Sequence, residues 1–348
     1  MEKETRECFV AATIIDQLIA KGYIVTGSVR TPTKGTQILA FHPEYAGKLD
    51  FVVVSDYAKP GTWDDTFREK DFEFVVHTAA PLLDDPGNED FERDFLGPSV
   101  GGMFFFLSFF CFGVGATELL KSAKKYGNSV KAVVVTGSIN AMTTGQDLER
   151  VFTSSEWLPL TIDDAIKAQH PYISYCVAKA ESEKAIWKFV DEEKPNFLVT
   201  VLLPGLIFGP PLQLVTSLKR INYSNDVFYG LFNGSNEVIS GTSFPSYIDV
   251  RDLAIAHIKS LTTPAVANQR LIVGGKKYSS QFAVDALKTV KELEGRLPSD
   301  GDEVEREVNF GDVEEWNVKL GLMPRSEVET FGDAARRILE LEELLKEG

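Results

Sequence analysis

In the stretch YISYCVAKAESEKAIWKF, Tyr175 and Lys179 stand four residues apart. On a helix that spacing puts both side chains on one face, about one turn from each other. An ammonium held there favours the phenolate and lowers the tyrosine pKa towards neutral pH. A tyrosine so tuned can protonate a carbonyl oxygen as hydride reaches the carbon, the work of a general acid. With ten tyrosines in the chain, YxxxK alone says little. Ser138 adds weight, because it closes the run KAVVVTGS at the end where catalytic groups of parallel sheets gather. A hydroxyl there can bond the same carbonyl oxygen and orient it against the tyrosine.

Both groups need a scaffold of strands and helices. The runs YIVTGSV, DFVVV, FEFVVHTAA, VKAVVVTGS and FLVTVLLPG are apolar on both faces, as suits strands covered by helices on each side. Between them, ATIIDQLIAKG ends at Gly22, GTWDDTFREK reads as a short exposed helix, and TELLKSAKKYGN ends at Gly127. The expected fold class is therefore α/β, a doubly wound parallel sheet of Rossmann type. Residues 1–208 form its dinucleotide-binding domain. Residues 209–348 form mainly a smaller α+β substrate lobe, with some segments returning to the sheet. That part contains a helix over Val250 to Leu261, a strand over Arg270 to Val273 and a charged helix over Val328 to Leu345.

Composition narrows the function classes. The net charge of −15 opposes binding to nucleic-acid phosphates or an anionic membrane. Three cysteines, Cys8, Cys111 and Cys176, form neither a CxxC pair nor a ligand cluster, so no metal site is expected and a cytoplasmic, reducing setting fits. The aromatic stretch Met103 to Phe112 is about half the ~20 residues a membrane helix needs. After YIVTGSV, where an acidic residue would accept the ribose 2′-hydroxyl of NAD, the chain has Arg30 and, one turn later, Lys34. Two cations suit a 2′-phosphate, which favours NADPH over NADH.

FVAATIIDQLIAKGYIVTGSVR, VVHTAAP, VVVTGS, YCVAK, PGLIFGP, YIDVRDLAIAH and GLMPRSEVETFGDAARRILELE follow one another in order. On these motifs the chain resembles the extended short-chain dehydrogenase/reductases, in the dihydroflavonol-reductase-like branch that includes fungal NADPH-dependent aldehyde and ketone reductases. The resemblance implies a catalytic triad of Ser138, Tyr175 and Lys179, with Lys179 also on the nicotinamide ribose. It implies Arg30 and Lys34 at the 2′-phosphate, Asp56 at the adenine, and Thr78, Ala79 and Pro81 along the pyrophosphate and ribose. Pro204 and Ile207 would flank the nicotinamide, and Leu82, Ile139, Asn140, Tyr172 and Leu206 would line a mostly apolar substrate pocket. The implied partner is a small carbonyl compound, reduced to the alcohol by a monomer or homodimer. Asp249 and Arg251 are read as pinning the C-terminal lobe, and His77 and His257 as structural.

Two places depart from the family pattern. Where TGxxGFV is the rule, alignment on FVAAT puts Thr5 and Cys8 at the first two glycines, and Ala11 at the third. A Cβ at the first two positions restricts the tight turn or invades the phosphate site. The second departure is the insertion Gly102 to Val114 within a long helix. Together they support an alternative: a catalytically impaired or non-catalytic Rossmann protein, either an inactive paralogue or a mispredicted gene product without the phosphate-binding loop.

Overall fold

The computed structural model describes residues 9–79, 106–147, 149–235, 238–239, 244–299 and 308–347. The first half of the chain runs α1 (Phe9–Ala20), β1 (Val25–Val29), α2 (Pro32–Phe41), β2 (Leu49–Val53), α3 (Asp64–Glu69), β3 (Phe74–His77), α4 (Phe106–Tyr126), β4 (Ala132–Thr136), β5 (Val151–Phe152), α5 (Ile162–Ala168) and α6 (Pro171–Glu193). It continues with β6 (Leu198–Pro204), β7 (Leu206–Phe208), α7 (Tyr223–Tyr229), β8 (Ser246–Asp249), α8 (Val250–Ser260), β9 (Arg270–Val273), β10 (Lys276–Lys277), α9 (Ser280–Leu287), β11 (Asn309–Phe310), α10 (Val313–Leu320) and α11 (Glu327–Glu347). The fold class is α/β with a parallel sheet, as the apolar runs require.

Local chemistry sets the helix ends. Thr161 and Asp164 form a capping box at the start of α5, each side chain bonding the other's backbone N–H. α6 opens on Pro171, whose missing N–H costs nothing in a first turn. The GTWDDTFREK helix is not an exposed one: Trp63 and Phe67 are each 6% exposed and join the core beneath α4. α4 begins inside the aromatic stretch, at Phe106, and runs unbroken to Tyr126.

Among the described residues, the long parallel strands form two separate ladders. One is β1–β2, and the other has the order β3-β4-β6-β9. In a doubly wound sheet the first strand lies between the second and the fourth, which here is the position between β1 and β3. The segment that would supply it, residues 1–8, lies outside the described residues, as do Thr5 and Cys8. Apolar packing joins the ladders on both faces. On one face, Ile15 and Ile19 of α1 meet Val25, Leu49 and Phe51. Phe9, Val10 and Ile14 of the same helix meet Ala132 and Val134 of β4 and Leu253 of α8. On the other face, Val52, Val54, Tyr57 and Trp63 pack with Val75, Val133 and Val135.

The region after residue 209 does not stay apart from this sheet. β9 pairs in parallel with β6, and α8 packs on α1. Asp249 caps α8, and its carboxylate is held by Arg251, whose other arm reaches Asp333 of α11 at 2.7 Å. The remaining elements enclose an aromatic core around Phe331, whose ring centroid lies 5.4 Å from Phe208, 5.5 Å from Phe228 and 5.1 Å from Tyr247.

His257, fully buried in α8, ties this layer to β4. Its Nδ1 lies 2.8 Å from the Leu253 carbonyl, which can only accept, so the proton sits on Nδ1. Nε2 therefore accepts from the Thr136 hydroxyl at 2.7 Å. Burial holds the His257 pKa down to about 4. Burial, and secondarily the Lys179 charge, does the same to His77, also to about 4.

Phe331→Ala should cost about 3–5 kcal/mol, because it empties the middle of the aromatic core; urea unfolding measures it. The two histidines make a pH prediction. The unfolded chain binds protons below the ordinary histidine pKa, whereas the native chain refuses them until about pH 4. Stability is thus complete above pH 6.5 and falls with acidification, by roughly 2 kcal/mol per histidine between pH 7 and 5. Urea midpoints at the two pH values should show the fall, and His257→Gln should remove about half of it, leaving the share of His77.

Candidate active site

The end of β4 is fixed before the chemistry begins. Gly137 N donates to the Leu202 carbonyl at 2.7 Å, and a Cβ on Gly137 would stand 2.8 Å from Leu203 and 2.9 Å from Val201. Glycine at this position thus lets the chain lie tightly on β6 and deliver Ser138 at the strand's C-terminal end. Ser138 then caps a short 3-10 turn, Ile139–Ala141. Its Oγ accepts from Asn140 N at 3.2 Å and donates to Asn140 Oδ1 at 3.3 Å.

α6 brings its own residues to the same point. The Ser138 hydroxyl stands near enough to Tyr175 to favour its charged form, and Lys179 Nζ stands 5.5 Å from the Tyr175 ring centroid. The three residues expected to act together therefore meet. Their electrostatics differ from the expectation in one respect. The Tyr175 pKa is raised, because burial outweighs the opposing effect of the Ser138 hydroxyl. The expected drop towards neutral pH does not occur; the phenol stays protonated, the form in which it can give up a proton.

Behind this pair lies a closed polar network. Asn140 Nδ2 donates to the Tyr172 hydroxyl at 2.8 Å and to the Thr143 carbonyl at 3.2 Å. The Tyr172 hydroxyl donates to the Thr144 carbonyl at 3.0 Å. Cys176, fully buried against them, has its thiol pushed up to about 12 by burial. Of the expected substrate-lining residues, Ile139 is only 1% exposed and belongs to the main core, and Asn140 is buried. Tyr172 and Leu206 are half-buried. Leu82 and Pro81 lie outside the described residues.

The expected cofactor residues follow the C-terminal ends of successive strands. Arg30 directly follows β1 and is exposed; Lys34 lies in the first turn of α2. Asp56 follows β2, exposed, with Oδ1 accepting from Ala58 N at 2.9 Å. Thr78 and Ala79 follow β3, half-buried and exposed respectively. Pro204 ends β6 and is buried, and Ile207 lies in β7 half-buried. Gly205 separates them, and its Cβ would meet the Ser246 carbonyl at 2.7 Å, so only glycine lets β6 turn into β7 against β8. One end of this rim thus carries the cations after β1, and the other carries the serine and tyrosine after β4. The residues present fit a dinucleotide with a phosphorylated ribose at the β1 end.

No family model matches the chain. It is 31% identical over 342 residues to the ketoreductase azaE of Aspergillus niger, covering 95% of each chain. It is also 31% identical over 350 residues to the NADPH-dependent methylglyoxal reductase GRE2 of Saccharomyces cerevisiae, covering 96% of each. The crystal structure of yeast methylglyoxal/isovaleraldehyde reductase Gre2 complexed with NADPH superposes with a TM-score of 0.82 at 29% identity, again over 96% of each chain. Identity at this level along nearly the full length, with the strand-end serine and the YxxxK helix in place, shows that the chain belongs to the extended short-chain dehydrogenase/reductases, in the branch of fungal NADPH-dependent aldehyde and ketone reductases.

Proposed function

We propose that this chain reduces an aldehyde or ketone to the alcohol, with Tyr175 as general acid. The observation that carries the reading is the convergence of Ser138, at the end of β4, with Tyr175 of α6, whose ring centroid lies 5.5 Å from Lys179 Nζ one helical turn away. NADPH, when bound, supplies the hydride. Arg30 and Lys34 hold its 2′-phosphate, Asp56 its adenine end, and Thr78, Ala79 and Pro81 its middle. Pro204 and Ile207 flank the nicotinamide, and Lys179 holds the adjoining ribose. Residues 209–348 supply mainly the substrate lobe, and residues 1–208 the cofactor domain.

The proton path starts from the resting state, in which Ser138 Oγ donates to Asn140 Oδ1. A carbonyl oxygen entering between the two hydroxyls draws both protons. Ser138 swings from Asn140 to that oxygen as an orienting bond, and Tyr175 transfers its proton as charge develops there. The Lys179 ammonium stabilises the phenolate until solvent returns a proton. Asn140 is thus a positioning residue, held by Thr143 and Tyr172 so that Ser138 has a resting partner.

A second reading, a Rossmann chain that takes no cofactor, rests on one observation: TRECF offers no glycine where the phosphate loop of the family has two. Titrating NADPH against the 348-residue chain separates the two readings, since no fluorescence quench or thermal shift at millimolar cofactor favours the second.

In the first reading, Tyr175→Phe lowers kcat by about 10²–10⁴ with NADPH affinity nearly intact, because only the transferred proton is lost. Arg30→Ala weakens NADPH about ten-fold and NADH far less, since the lost bond is to the 2′-phosphate. Steady-state rates and cofactor titrations check both, and a Tyr175→Phe enzyme of near-normal rate contradicts the mechanism.

A further inference from the structure

At the N-terminal ends of β6 and β9, the opposite end of that ladder from Ser138, one ion pair braces two tryptophans. Arg270, the first residue of β9, donates to Glu183 of α6 from Nε to Oε1 at 2.6 Å and from Nη2 to Oε2 at 3.1 Å. Glu183 is 2% exposed, and a charge so buried persists only when paired, as this two-pronged contact does. The same Glu183 Oε1 accepts from Trp187 Nε1 at 2.9 Å. Arg270 Cζ in turn lies 3.6 Å from the ring centroid of Trp157. Arg270 Nη1 also donates to the Ser154 and Glu156 carbonyls, at 2.8 and 2.6 Å, which fixes the segment that carries Trp157. Both indoles are thus held by groups that are themselves held.

Trp157 and Trp187 are nonetheless only half-buried, and they border one cleft of about 760 Å³. That volume suits a small molecule. Val190, Pro195 and Phe197 complete its apolar wall, and the exposed Ser155 and Gln269 form a polar edge. The loop bearing Gln269 is fixed as well: Asn268 Oδ1 accepts from Val199 N at 2.9 Å, and the Gln269 carbonyl accepts from Val201 N at 3.0 Å. Charges around the cleft cancel one another, because Arg270 is paired with Glu183, and Lys194 Nζ lies 2.5 Å from Asp191 Oδ1. An ion therefore finds no uncompensated partner, whereas an uncharged ring meets two fixed indoles with little side-chain freedom left to lose. β6 begins one residue after Phe197 and ends at Pro204, so roughly 20 Å of strand separates the cleft from the rim that carries Ser138.

We propose that this cleft is a second binding site, one that takes an uncharged fused-ring aromatic compound. The ring system packs against Trp157 and Trp187, and a polar substituent bonds to Ser155 or Gln269. The site is independent of the carbonyl-reductase reading, since none of its residues belongs to the catalytic or cofactor rim.

The probe is 2-naphthol, titrated into the full chain with its four tryptophans replaced by 5-fluorotryptophan and followed by fluorine NMR. Trp157→Phe and Trp187→Phe each remove one resonance and so assign it. Those two resonances should shift saturably, while Trp63 and Trp316, 6% and 7% exposed, should stay in place. 2-Decalinol, of similar size but without an aromatic ring, should bind about ten-fold more weakly, and Trp187→Leu should weaken 2-naphthol by about the same factor. If 2-naphthol shifts neither resonance, if 2-decalinol binds as tightly, or if a folded Trp187→Leu chain keeps full affinity, the proposal is overturned. Should Trp187→Leu fail to fold, the two resonances of the otherwise unaltered chain still decide the matter.

Discussion

The structure depends on α1 holding two strand ladders in place without a hydrogen-bonded strand between them among the described residues. Ile15 and Ile19 grip β1 and β2, while Phe9, Val10 and Ile14 grip β4 and α8. Arg30, Lys34 and Asp56 belong to the first ladder, and Ser138 to the second. The distance between the cationic end of the rim and the proton-donating end is therefore set by side-chain packing on α1 and, from the other face, by the Tyr57 and Trp63 cluster.

Within the second ladder the placement is tighter. Ser138 is held from behind by Gly137 on β6 and from the side by Asn140, which is itself held by Thr143 and Tyr172. One residue earlier than Gly137, Thr136 is bonded to a histidine that burial keeps neutral. The polar groups near the reacting centre thus restrain one another, and the exchange of a single hydroxyl proton, from Asn140 to substrate, is the one movement the arrangement asks of Ser138.

Much of this was legible in the sequence, for physical reasons. Strands covered on both faces must be continuously apolar, so VVVT and LVTVLLP read as buried parallel strands, and YxxxK fixes its own geometry once α6 is a helix. Other features were not legible. The aromatic residues of GTWDDTFREK are core residues although the segment is mostly charged, because burial there depends on α4 lying above it. The resemblance names Ile139 as a pocket residue, and what the sequence does not show is that the 3-10 turn leaves it 1% exposed among core residues. The Tyr175 pKa was misread because spacing reveals a nearby charge but not the desolvation that outweighs it.

The central claim is that hydride and proton converge on one carbonyl held between Ser138 and Tyr175. It is tested most directly by supplying NADPH carrying deuterium at both nicotinamide C4 positions and analysing the alcohol by mass spectrometry. The account predicts deuterium on the former carbonyl carbon, because the hydride comes from C4 and the proton from Tyr175. An alcohol without deuterium, or no alcohol from a chain that demonstrably binds NADPH, would contradict it.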